Sequence, residues 1–237
     1  MIEVENLTKQ FGTKTAVDNL SFKVSPGEVL GFLGPNGAGK STTMRMVTGF
    51  IPPTSGDAKL CGISIVDNPT EAKKKVGYLP ESAPLYNDMT VVGFLRFCAD
   101  IRGLSGTAKK DAVDRAIETC FLGSVATQAL DTLSKGYRPR TCLAHDPEIL
   151  ILDEPTDGLD PNQKYEIRQL IKRLGKTKTV LFSTHILEEV EAACTRAGIV
   201  DRGVIVADGT PAQLLTQSGT GSLYDLFRKL TTRDTAA

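Results

Sequence analysis

Hydrophobic and polar residues alternate at the start of the chain. Ile2, Val4 and Leu7 are separated by Glu3, Glu5 and Asn6, and after Gly12-Thr13-Lys14 the stretch Ala16 to Val24 alternates again through Leu20, Phe22 and Val24. A period of two with one polar face predicts an antiparallel hairpin, solvated on one side. It leads through Pro26-Gly27 into Glu28-Val29-Leu30-Gly31-Phe32-Leu33, which reads as a buried strand, and then into a helix opened by Thr42-Thr43-Met44-Arg45-Met46. Pro52 to Gly56 breaks the periodicity, Ala58 to Ile65 returns to strand spacing, and Val76 to Pro80 is a further short strand. From Val91 to Leu130 the spacing turns helical: Val92, Leu95, Phe97 or Cys98 and Ile101, then Ala112, Val113, Ala116, Ile117, Cys120 and Phe121, with charged residues between. This predicts a small helical lobe inserted into an α/β chain.

Beyond the lobe, Ile149-Leu150-Ile151-Leu152 closes on Asp153-Glu154, the pattern of a parallel strand buried on both faces that delivers carboxylates at its C-terminal end. Thr179 to His185 repeats the design with a hydroxyl and an imidazole at the tip. Between and after them, Asn162 to Leu174 forms an amphipathic helix with Ile167, Leu170, Ile171 and Leu174 on one face, and Ile186 to Cys194 forms another. Alternating strand and helix predicts right-handed crossovers and a parallel sheet. Ile199-Val200 and Val204-Ile205-Val206 flank Asp201-Arg202-Gly203 as a terminal hairpin. Gln217 to Gly221 reads as loop, and Leu223, Leu226, Phe227 and Leu230 as a short helix before a polar tail.

Composition narrows the field. A chain of 237 residues with 41% hydrophobic content can bury a large core, as one domain or as a core with a smaller lobe. Lys plus Arg and Asp plus Glu both number 28, so no global charge asks for nucleic acid or an anionic membrane surface, and no nucleic acid is expected as a partner. Five cysteines without C-x-x-C spacing, and an N-terminus without an export signal, predict reduced thiols in a cytosolic compartment. No apolar run approaches the roughly 18 to 20 residues that cross a bilayer, so a link to a membrane is expected to come through a partner.

The chemistry concentrates at Gly34-Pro35-Asn36-Gly37-Ala38-Gly39-Lys40-Ser41, a phosphate-binding loop of the pattern G-x-x-x-x-G-K-S/T, set between a strand and a helix as that motif requires. Its glycines let successive amides turn inward onto phosphate oxygens, and Lys40 adds a charge for the β- and γ-phosphates. Ser41 offers a hydroxyl to magnesium, and the helix continuing through Thr42 aims its positive end at the same place. With Asp153 for the magnesium shell, Glu154 to polarise a water and His185 for the γ-phosphate, the set outlines a phosphoryl-transfer site. Phe11, at the hairpin tip, either stacks on an adenine base or packs on its own hairpin.

In order along the chain stand Gly34 to Ser41, Leu133-Ser134-Lys135-Gly136-Tyr137, Ile149 to Glu154, Pro155-Thr156-Asp157-Gly158-Leu159-Asp160 and His185. This series resembles the ATP-binding-cassette ATPases, from the first strand to about Asp208. Its most specific element is the signature at 133–137. The signature, the tract Gly77 to Glu81 and the ending Ala207-Asp208-Gly209-Thr210-Pro211 are similar to the single-domain ATPases of ABC-2-type exporters of the gliding-motility and multidrug kind. The resemblance implies a P-loop NTPase of the α/β class with a RecA-like parallel-sheet core, an N-terminal antiparallel β-subdomain and a helical subdomain inserted at about 82–145. It implies an ATP-binding domain over 1–215 and a short tail with one helix over 216–237.

It further implies ATP and Mg2+ as ligands, and a head-to-tail dimer, either a homodimer or a heterodimer with a second ATPase subunit. In that dimer Ser134 and Gly136 of one copy meet the ATP held by the other. Phe11 becomes the adenine stacker, Glu154 the general base, His185 the γ-phosphate switch, Asp153 a magnesium contact, and Asp160 part of the loop that crosses the dimer. The subunit would sit on the cytoplasmic face of the membrane, docked through Ser82 to Met89 on a separate transmembrane permease, and would power export. The alternatives are a soluble ABC ATPase outside transport and an ATP-gated regulatory module with little hydrolysis.

Two departures from the family pattern stand out. Glu81 occupies the place of the usual glutamine, where a carboxylate can still reach magnesium. After the signature, Arg138-Pro139-Arg140-Thr141-Cys142-Leu143-Ala144 runs straight into His145-Asp146-Pro147, about four residues short, or roughly 6 Å of helix. Pro139 would remove a hydrogen bond from that helix at ~3 kcal/mol. A signature helix too short to close the dimer well implies weak ATPase activity, the main support for the regulatory alternative.

Overall fold

The computed structural model describes residues 1–81, 86, 88–133, 137 and 147–232. The hairpin forms from β1 (Ile2–Phe11) and β2 (Lys14–Val24), with Ile2 opposite Val24 and Val4 opposite Phe22. β3 (Val29–Leu33) is buried along its whole length and is followed by α1 (Lys40–Val47). The single strand expected over 58–65 is instead a hairpin, β4 (Ser55–Leu60) and β5 (Ile63–Ser64). Cys61 and Gly62 both take left-handed φ, at 52° and 80°, which is the geometry of a two-residue hairpin turn.

A short helix that the periodicity does not reveal, α2 (Pro69–Lys74), leads to β6 (Val76–Leu79). The lobe contains α3 (Val91–Ile101) and α4 (Gly106–Thr119), then two single 3-10 turns. The chain continues through β7 (Ile149–Asp153), α5 (Pro161–Gly175), β8 (Thr179–Thr184), α6 (Leu187–Ala193), β9 (Arg196–Asp201) and β10 (Val204–Gly209). Two C-terminal helices follow, α7 (Pro211–Ser218) and α8 (Leu223–Thr231).

The strands make two sheets, an antiparallel one in the order β2-β1-β4-β5 and a six-stranded one in the order β10-β9-β3-β8-β7-β6. In the second, β9, β3, β8, β7 and β6 run parallel, and β10 closes one edge antiparallel. The expected terminal hairpin is therefore present, and both of its strands belong to the central sheet, the first pairing with β3. Successive side chains of a strand point to opposite faces, and β7 shows why it must be apolar throughout. Ile149 and Ile151 pack with α1 and the antiparallel sheet, whereas Leu150 and Leu152 pack with α5 and the helical lobe.

The lobe follows the predicted period with a shifted face. Val91, Phe94, Leu95 and Ala99 are the buried residues of α3, and Ile101 at the end of that helix is exposed. Phe121 does not join the core either. α4 ends at Thr119, Phe121 takes φ 54°, and its ring turns outward beneath the Arg173 guanidinium, 4.3 Å from the ring centre. Arg173 also donates to the Thr119 carbonyl. Cys61, Cys98, Cys120 and Cys194 are not joined in disulfides, and Cys142 lies outside the described residues.

α7 extends into the stretch read as loop, because its end signals are complete. Thr210 Oγ1 accepts from Gln213 N at 3.2 Å, Thr210 N donates to Gln213 Oε1 at 2.8 Å, Pro211 opens the helix, and Gly219 closes it at φ 72°. The cap holds Leu214, which packs with Leu33, Val190, Leu223 and Leu226. Thr210→Ala is expected to cost about 1 kcal/mol, and a thermal midpoint lower by roughly 2–4 °C would register it.

Candidate active site

β3, β8 and β7 are neighbours in one parallel sheet, with Leu33 opposite Thr184 and Asp153 opposite Ser183. Their carboxyl ends therefore reach the same edge, which brings Gly34, Asp153, Glu154 and His185 together from three separate stretches of sequence. Open α/β sheets place their ligands at that edge.

The loop between β3 and α1 forms the floor. Gly39 has φ 105°, and a Cβ there would stand 2.6 Å from the Ala16 carbonyl oxygen, so both conformation and space demand glycine. No side chain caps α1, whose first amides and positive dipole end face the loop. Gly34 N donates to the Thr184 carbonyl at 3.2 Å, and Gly203 N donates to the Ala38 carbonyl at 2.8 Å, which ties the loop to the β9–β10 turn behind it.

A cleft of about 410 Å³ opens above, lined by Asn36, Gly37, Ala38, Gly39, Lys40, Ser41 and Thr42, with Phe11, Glu81 and Glu154 around them. Gly34 and Pro35 sit behind that lining, and their carbonyls accept from Lys40 Nζ at 2.7 and 3.2 Å. Lys40 is only 5% exposed, and its Nζ lies 3.4 Å from Glu154 Oε1.

The acids are held in a hydroxyl frame. Asp153 Oδ1 accepts from Ser41 Oγ at 2.9 Å and from Ser183 Oγ at 2.6 Å, and Ser183 Oγ in turn accepts from Glu154 N at 2.9 Å. Asp153 Oδ2 is buried and has no hydrogen-bond partner among the described residues. A hydroxyl and an orphaned carboxylate oxygen are hard donors of the kind magnesium prefers. No cluster of three or more His, Cys, Asp or Glu side chains suited to a metal occurs among the described residues. The donor set thus fits an ion that takes most of its shell from water and substrate phosphates, which is the habit of Mg2+.

Glu154 adopts φ 48°, and its Oε2 lies 2.9 Å from His185 Nδ1. Beside this group, burial and then the Asp153 charge push the Tyr78 hydroxyl up to about 12, so it stays protonated. Ser183 was legible only as a hydroxyl near the strand tip, and the register of β7 against β8 is what makes it the bridge between both acids.

Phe11 stands at the rim, 51% exposed, with Lys9 Nζ 5.2 Å from its ring centre. Its ring is therefore not committed to the hairpin core. Asp160 caps α5, accepting from Asn162 N and Gln163 N at 3.0 Å each. Ser134 and Gly136 of the signature, Pro139 and the shortened stretch after it lie outside the described residues, as do Ser82, Ala83, Pro84, Leu85 and Asn87 of the expected docking segment.

A sequence model of the family described as ABC transporter matches residues 17–157, more than half of the chain. The chain is 42% identical over 223 residues to the "Probable multidrug ABC transporter ATP-binding protein YbhF" of Escherichia coli (strain K12), covering 92% of this chain and 38% of that protein. It thus spans well under half the length of that relative. It is 39% identical over 232 residues to the "Linearmycin resistance ATP-binding protein LnrL" of Bacillus subtilis (strain 168), covering 95% of this chain and 74% of that one. A solved structure described as the ATP binding subunit of an ABC transporter matches with a TM-score of 0.85 at 28% identity, over 97% of this chain and 99% of the other. With the loop, the acids and the histidine at one sheet edge, these matches show that the chain belongs to the ABC transporter family, among its ATP-binding proteins.

Proposed function

We propose that the protein binds Mg-ATP in the cleft above residues 34–42, hydrolyses it, and thereby powers export through a separate transmembrane permease. The observation that carries this proposal is the position of Glu154. Its two carboxylate oxygens face Lys40 at 3.4 Å and His185 at 2.9 Å, at the edge where Ser41 and Asp153 also meet. A carboxylate there can orient a water on the γ-phosphate and take its proton as the new oxygen–phosphorus bond forms and the bond to the ADP oxygen breaks.

Each remaining side chain has a part. Lys40 exchanges the Gly34 and Pro35 carbonyls for phosphate oxygens, which frees Glu154 to hold the water. His185 contacts the γ-phosphate from the Glu154 side, and Phe11 stacks on adenine at the rim. Ser41 and Asp153 hold Mg2+, with Glu81 able to reach its shell through water; the ion supplies charge neutralisation at the β- and γ-oxygens.

Two copies arranged head to tail, or this chain with a second ATPase subunit, would bring Ser134 and Gly136 of one to the ATP of the other. Among the described residues no helix is long and apolar enough to cross a membrane. The permease supplies the passage, and the subunit docks on it from the cytoplasmic side.

Lys40→Ala tests the foundation. Losing one buried charged contact, about 1.5–3 kcal/mol, is expected to weaken Mg-ATP binding roughly 10- to 100-fold in calorimetric titration. Unaltered protein that shows no magnesium-dependent affinity for ATP would end the proposal.

A further inference from the structure

α6 buries a carboxylate to which the site described above assigns no role. Glu189 is 1% exposed and engages two hydroxyls at once. Thr156 Oγ1 donates to its Oε1, and Thr184 Oγ1 donates to its Oε2 at 2.6 Å. Thr156 lies two residues beyond Glu154, and Thr184 immediately precedes His185; both are buried. The turn that presents Glu154 and the strand end that presents His185 are therefore tied to one side chain from a third element. Arg168 of α5 stands 4.0 Å from Glu189 Oε1, the countercharge that a buried carboxylate requires. Thr184 passes the tie onward, since its hydroxyl accepts from Ile186 N at 3.0 Å and its carbonyl accepts from Gly34 N at the start of the phosphate loop.

A satisfied buried charge could be no more than a packing device. The backbone at Glu154 argues for more. At φ 48° it occupies the left-handed region, which a residue with a Cβ keeps only when its surroundings over-determine it. Ser183 Oγ restrains the Glu154 amide at 2.9 Å, Asp157 N restrains its carbonyl at 3.1 Å, and the bond from Thr156 to Glu189 anchors the turn just beyond.

We infer that Glu189 is a positioning residue for ATP hydrolysis: it holds the Glu154 turn and the end of β8 in one register, so that the contact between Glu154 and His185 is set before substrate arrives. The inference rests on the role proposed for Glu154 and extends it to a residue that touches neither substrate nor metal.

The experiment compares Glu189→Ala, Glu189→Gln and Thr156→Val by steady-state ATP hydrolysis, thermal melting and NMR of the histidine rings. Misplacing a base by a fraction of an ångström to 1 Å costs up to about 100-fold. Glu189→Ala should lower kcat by about tenfold or more, and the near-isosteric Thr156→Val by at least about threefold, with KM for ATP within about twofold in both. Glu189→Gln, which can still meet both hydroxyls, should recover most of the loss. The protein has 2 histidines, so the His185 ring is readily assigned. Its resonances should move in Glu189→Ala and Thr156→Val toward those of Glu154→Ala.

Should kcat and the His185 resonances stay unchanged in folded Thr156→Val and Glu189→Ala, or should kcat fall only in proportion to lost folded protein, the inference is overturned. Were Glu189→Ala unable to fold, Thr156→Val decides alone. An unaltered protein that binds but does not hydrolyse ATP would refute the role of Glu154 by itself, and the ring resonances would still decide whether Glu189 sets the contact.

Discussion

Glu154→Gln is expected to slow ATP turnover by at least about 100-fold, the usual worth of a positioned general base, while Mg-ATP affinity stays within about threefold. The amide keeps the shape of the carboxylate, so Ser183 still holds its backbone and His185 can still meet it. Only the capacity to take a proton is lost. Lys40, 3.4 Å from Oε1, loses a competing charge, which favours its transfer to phosphate and should leave binding no weaker. With hydrolysis blocked and ATP retained, a dimer closed over the nucleotide should accumulate and elute earlier in size-exclusion chromatography. An ATP-gated regulatory module would behave otherwise, with a negligible rate in the parent that the substitution leaves unaltered.

Gly203→Ala is expected to cost about 2–4 kcal/mol through its left-handed backbone and the crowding of a new methyl group. Gly203 has φ 83°, and a Cβ would stand 2.8 Å from both the Ala16 carbonyl oxygen and the Val17 Cα. Those atoms are backbone and cannot swing aside. The same residue donates from its amide to the Ala38 carbonyl at 2.8 Å and accepts at its carbonyl from Asp18 N at 3.0 Å. It is therefore the joint between the β9–β10 turn, the phosphate loop and β2. Forcing them apart should lower the thermal midpoint by roughly 5–12 °C and weaken ATP binding in the protein that remains folded. A midpoint within a degree of the parent would mean that the joint adjusts at little cost.

What could be read in the sequence was local. The phosphate loop carries its own pattern, β7 and β8 show as apolar runs ending in chemical groups, and the face of α5 shows in the spacing of Ile167, Leu170, Ile171 and Leu174, all of which are buried. What could not be read depends on which strands lie side by side. Ser183 joins Asp153 to Glu154 across 30 and 29 positions, and Glu189 reaches back 33 positions to Thr156. Neither distance has a period or a motif to announce it. The two overlooked helices differ in kind. α2 has six residues, too few for a hydrophobic period to develop. α7 announced itself through Thr210, Pro211, Gln213 and Gly219, signals of termini rather than of a face. In the lobe, helical character was evident, but the face was misjudged at Ile101 and Phe121 because phase is set by packing at Val91 and lost where α4 ends.

The stack of Arg173 on Phe121 has a mechanical corollary. The guanidinium belongs to the helix that covers the central sheet, whereas the ring and the Thr119 carbonyl it also grips belong to the lobe. Any swing of the lobe away from the sheet must first peel that cation off the aromatic surface, a contact worth about 0.5–1 kcal/mol at an exposed site. The molecule thus has a weak latch on its outside, joining the lobe to the helix that covers the sheet.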